Sequence, residues 1–86
     1  MPEISRFLGI VITIYFNDHD PPHFHARYND YEASVEIDSL GVLRGQLPPK
    51  VLSLVVEWAG MHREGLEANW DSLRTTGHFE KIEPLV

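Results

Sequence analysis

Apolar positions recur along this chain with two different periods, and the change of period divides it in two. From Phe7 to Phe16, "FLGIVITIYF" puts Leu8, Ile10, Ile12, Ile14 and Phe16 on one parity, while Gly9, Thr13 and Tyr15 dilute the other. A period of two in β-branched and aromatic residues predicts a single strand with one buried face and one mixed face. Asp18 to Pro22 interrupts it. Pro22 has a fixed φ and Pro21 is pushed towards an extended conformation, so this segment reads as a loop.

His23 to Tyr28 and Tyr31 to Asp38 then alternate in mirror image about Asn29-Asp30. Both central residues tolerate left-handed angles, which suits a two-residue hairpin turn. With that turn as hinge, Tyr28 faces Tyr31, Ala26 faces Ala33 and Phe24 faces Val35 on an apolar side. Arg27 then faces Glu32, His25 faces Ser34 and His23 faces Glu36 on a polar side. A slip of one residue would destroy both faces, so the pattern sets the register. Leu40-Gly41 reads as a turn and Val42 to Arg44 as a short fourth strand.

After "LPPK" the period becomes helical. Val51, Leu52, Val55, Trp58, Ala59, Leu66, Trp70 and Leu73 form an apolar stripe, opposite Ser53, Glu57, Gly60, Glu64, Glu67 and Asp71. Pro49 suits the first turn of one long helix and Gly77 its C-terminal cap. Gly60 and Gly65 weaken its middle by about 1 kcal/mol each relative to Ala. The tail, "FEKIEPL", can add an edge strand before Pro84. The expected fold is a single two-layer α+β domain over residues 1–86. It has an antiparallel three- to four-stranded sheet with one long helix on one face, β-β-β-(β)-α. The second sheet face is expected to be open and to carry His23, His25 and Arg27.

Length and charge narrow the class. A chain of 86 residues has a thin core, and self-association or a partner would supplement it. Cysteine is absent, which excludes disulfides and Cys-type zinc sites. The early apolar run is far short of the roughly 20 residues that span a bilayer and has no basic leader, so a cytoplasmic protein without a membrane segment is expected. The net charge of −6 argues against sequence-independent binding to nucleic acid. It is compatible with a basic protein partner.

Candidate chemistry gathers in "NDHDPPHFHARY", which holds His19, His23 and His25 of the five histidines. Side chains two apart on a strand leave the same face. Neighbouring imidazoles can supply a neutral base and a charged acid at neutral pH. With Arg27 next along the face to stabilise a pentavalent phosphate, His23, His25 and Arg27 form a candidate catalytic set for RNA cleavage. His19, Ser34 and Glu36 are candidate binding and orienting residues. The plainer reading is a solvated polar face in which His23 pairs with Glu36. His-x-His is also a metal-ligand spacing, with His19 or Glu36 as a third ligand. No defined third ligand appears in the sequence, so no metal and no cofactor is assigned. His62, in the apolar stripe, reads as a core histidine, Trp58 and Trp70 as core, and the acidic helix stripe as a solvated face.

The segments "MPEISRFLGIVI", "NDHDPPHFHARY", "EASVEI", "VVEWAGMHREGLEANW" and "KIEPL" together resemble the small bacterial family known as domain of unknown function 4160. The most specific element is "NDHDPPHFHA", Asn17 to Ala26. The resemblance implies the toxin of a type II toxin–antitoxin pair, partnered by a second small protein of the DUF2442 type. On that basis the expected function is a toxin that cleaves RNA, as an endoribonuclease, or binds it. The alternatives are a non-catalytic adaptor or transcriptional regulator acting through its partner, and a small metal-binding module. A homo-oligomer fits the thin core.

Overall fold

A computed structural model describes residues 2–15 and 18–86. Five strands precede two helices: β1 Glu3–Phe7, β2 Ile10–Thr13, β3 His23–Tyr28, β4 Tyr31–Glu36, β5 Val42–Gln46, α1 Pro49–Met61 and α2 Arg63–Thr75. The strands form one antiparallel sheet in chain order. The α+β class and antiparallel sheet agree with the sequence pattern, and the β3–β4 register is the expected one from His23↔Glu36 to Tyr28↔Tyr31. Asn29 takes a φ of 53° at the turn.

Several expectations need correction. The predicted strand from Phe7 to Phe16 is two elements. Phe7 ends β1, and the chain reverses through Leu8 and Gly9, at φ 51° and 79°, into β2. A bulky residue with positive φ is rare, so Leu8 hid the turn inside an apparently continuous alternation. It lies outside the core at 55% exposure. The Phe16 end of that predicted strand lies outside the described residues. With β1 added and β5 extending to Gln46, the sheet has five strands rather than three or four.

The single long helix is two, broken at His62, whose φ and ψ are −130° and 28°. A straight helix from Pro49 to Thr75 would run about 40 Å, longer than the 34 Å principal extent of the molecule. Either side of the break, Trp58 of α1 packs on Phe7 and Phe24 of the sheet, while Trp70 and Arg74 of α2 reach His23 and Asp20. Gly60 and Gly65 flank it, where helix propensity is lowest. Gly77, at φ 76°, follows the Thr76 cap and donates its N–H to Ser72 O.

The tail is not a strand. It is tied down at separate points: Ile82 N–H to Ile4 O, Trp58 Nε1–H to Glu83 O, and both ends of the buried Asn69 amide to the Glu80 backbone. The core lies between the sheet and the helices. Trp58 is fully buried there, against Phe7 and Phe24 at ring-centroid distances of 5.5 and 5.9 Å. Trp70 is also core, whereas His62 is only half-buried, at the helix junction against Trp58. Among the described residues no helix is long and apolar enough to cross a membrane.

Candidate functional site

β3 aims His23 and His25 to one side of the sheet because they share a parity opposite to Phe24 and Ala26, which the core takes. That side is not open at the His23 end, contrary to the sequence expectation. The His23 ring packs on Trp70 of α2 at 5.3 Å, and the Arg74 guanidinium lies 5.5 Å over the same indole while it pairs with Asp20 at 3.0 Å. α2 thereby clamps the Asp18–Pro22 loop against β3. The His25 and Tyr15 rings meet edge to face, with centroids 4.4 Å apart. The two histidine side chains keep only 12% and 15% of their exposure.

The clamped loop brings in a group that the sequence reading did not select. Asp18 Oδ2 lies 2.9 Å from His25 Nε2 and 3.2 Å from His23 Nε2. The outer nitrogens are engaged too. His23 Nδ1 is 2.8 Å from Pro21 O, and His25 Nδ1 is 3.3 Å from Ser34 Oγ and 3.6 Å from Glu32 Oε2. Asp18, His23 and His25 form a set whose ligand-type atoms all lie within 4.8 Å of one another. Seven positions separate Asp18 from His25, and only the reversal at Pro21-Pro22 joins them. Asp18 stands inside the same motif, and that was the signal available in the sequence.

The other expected residues divide. Ser34 joins the site through His25, and His19 lines the adjoining cleft as an exposed residue. Glu36 stands opposite His23 in the register but accepts a 2.6 Å hydrogen bond from Ser39 Oγ. Arg27 is exposed on the same sheet face yet does not line the cleft. The cation in that position is Arg44, which β5 places opposite Ser34. The cleft has a volume of about 360 Å³ and is lined by the Asp18–Pro21 loop, His23, His25, Ser34, Leu43 and Arg44. Asn17, the first residue of the motif, lies outside the described residues.

Chemically, the two imidazoles converge on one carboxylate oxygen. Both Nε2 atoms face the same oxygen rather than the open sheet face expected from the sequence. They can serve a single bound ion or a single reacting oxygen. A small α+β domain with a two-histidine, one-carboxylate cluster beside an arginine is the class that fold and site define. Residues 9–71 match the family described as domain of unknown function DUF4160, and the chain belongs to that family. No curated protein and no solved structure matches the chain.

Proposed function

We propose that the protein cleaves phosphodiesters in the Asp18–His23–His25 cleft, with RNA as its substrate class, as the toxin of a toxin–antitoxin pair. The observation that carries the chemical reading is Arg44, which lines the same cleft as the two imidazoles. A guanidinium matches phosphate oxygens in a bidentate way and keeps its charge at any working pH. The cleft volume is in the range of small-ligand sites and suits one nucleotide unit. In this reading Arg44 holds the phosphate and the cluster activates one attacking oxygen. The toxin role and a silencing partner of the DUF2442 type are supported by the family resemblance carried by "NDHDPPHFHA". The −6 charge disfavours an extended, sequence-independent RNA contact. Binding should then weaken only slightly with salt, by about 0.7 logarithmic units per logarithmic unit for each phosphate contacted.

The test is cleavage of single-stranded RNA by purified protein, alongside growth after induction. His25→Ala should lower kcat by about 10²–10⁴-fold, Arg44→Ala should raise KM, and both should relieve growth arrest. Intact RNA and normal growth with the wild type would sink the proposal.

The adaptor reading has its own support in β5. Its outer edge pairs with no further strand among the described residues, and Val42 and Leu43 there are 41% and 46% exposed. A partner strand or a second copy added to that edge would use the free backbone groups. Val42→Lys, outside the cleft lining, should then abolish complex formation in light scattering while leaving RNA cleavage unchanged.

A further inference from the structure

We propose that Asp18, His23 and His25 bind a divalent first-row transition-metal ion, zinc or a near neighbour, through Asp18 Oδ2 and the two Nε2 atoms. The site lies in the cleft already described, but it does not depend on what that cleft cleaves.

The argument starts at His23. Its Nδ1 lies 2.8 Å from the Pro21 carbonyl oxygen, which can only accept, so Nδ1 carries the hydrogen. In the neutral ring Nε2 then presents a lone pair. Facing it at 3.2 Å is Asp18 Oδ2, a second acceptor. Two acceptors at that distance repel unless a positive ion joins them. His25 adds a second nitrogen, 2.9 Å from the same oxygen. Without an ion, His25 can turn an Nε2–H to Asp18 and accept from the Ser34 hydroxyl. His23 has no such exchange, because a carbonyl cannot donate.

The dimensions agree with a shared metal ion. Zinc bonds to nitrogen and oxygen of about 2.0–2.1 Å place neighbouring ligand atoms about 2.9 Å apart at octahedral angles and about 3.4 Å at tetrahedral ones. Of the two nitrogen–oxygen distances, 2.9 Å matches the octahedral edge and 3.2 Å lies between the two. Two imidazoles and one carboxylate suit borderline ions, whereas magnesium and calcium take oxygen ligands. Outer contacts are in place as metal-bound histidines require, Pro21 O for His23 and Ser34 Oγ with Glu32 for His25. Trp70 and Tyr15 hold the rings. Three protein ligands leave a position open to the cleft, the form of a catalytic rather than a structural site.

A proton on His23 would satisfy the same geometry, and the experiment separates the two. Untagged protein is stripped with chelator, then titrated with Zn²⁺ by calorimetry and with Co²⁺ by visible absorption. One ion per chain is expected, with a Co²⁺ spectrum of nitrogen–oxygen ligation. His23→Ala, His25→Ala and Asp18→Asn should each abolish that spectrum while circular dichroism stays native. Ser34→Ala should weaken binding by about 10–100-fold, and exposed His78→Ala should leave it unchanged. No uptake by folded wild type, or uptake surviving both histidine variants, overturns the site. Zinc bound at the cluster with no RNA cleaved sinks the cleavage proposal alone. RNA cleaved by chelator-treated protein that takes up no ion sinks the metal site alone.

Discussion

Gly45 holds β5, and with it Arg44, against β4, and its replacement by alanine should be among the most damaging single-methyl changes in the protein. Gly45 has a φ of 79°, and a Cβ placed on it would collide with the backbone oxygen of Glu32, with Ala33 Cα and Glu32 C both at 3.1 Å. The left-handed conformation costs an alanine about 1–2 kcal/mol. The second cost is steric. Real Cβ atoms essentially never come within 3.0 Å of such an atom, and a backbone oxygen has no rotamer to escape to. The strand must therefore move by about 1 Å, loosening one or two ladder hydrogen bonds at about 1 kcal/mol each. The sum for Gly45→Ala is about 2–4 kcal/mol. Gly77 supplies the control. Its φ is 76° and an added methyl would meet nothing within 4 Å, so Gly77→Ala carries only the conformational part, about 1–2 kcal/mol. At about 4–8 °C per kcal/mol for a domain of this size, the alanine at 45 should lower Tm by roughly 10–30 °C. Urea unfolding followed by the fluorescence of buried Trp58 and Trp70 measures both variants. Equal losses, within about 0.5 kcal/mol, would show that the contact with Glu32 does not constrain β5 and would refute the reasoning.

Asn69 is buried and exchanges two 2.8 Å hydrogen bonds with the Glu80 backbone, so Asn69→Ala leaves a donor and an acceptor unpaired. It should cost about 1–3 kcal/mol and free the tail, read as faster hydrogen exchange at Glu80 and Ile82; unchanged exchange would count against this anchor. At the other end of the chain, the bidentate Arg6 guanidinium holds the Glu3 carboxyl below the usual range. A depressed folded-state pKa stabilises above the unfolded value, about 4.3 for Glu, and its contribution fades as pH falls below that and through the lower folded value. An NMR titration checks the sign: Arg6→Gln should raise the Glu3 midpoint, and an unmoved midpoint would contradict the pairing.

The β3–β4 hairpin was legible in the sequence residue by residue, because a pleated ribbon with one buried face has a period of two and tolerates no slip. The same logic placed His23 and His25 on one side and Phe24 on the other. It failed at Leu8-Gly9, where a turn needing positive φ was built from a residue that rarely adopts it. Helical periodicity likewise ran on through His62, since Leu66, Trp70 and Leu73 continue the stripe of Val51, Val55 and Trp58. Local pattern records which face is apolar but not how long the surface beneath it is, and the stripe is carried by two helices that meet at His62. The site shows the division most plainly. The sequence determined that two imidazoles leave one strand together. Only the tertiary structure brought Asp18 onto both Nε2 atoms, set Arg44 rather than Arg27 in the cleft lining and closed the His23 end with Trp70. Those partners come from a loop, another strand and a helix, and contacts between elements depend on how the layers pack rather than on spacing along the chain.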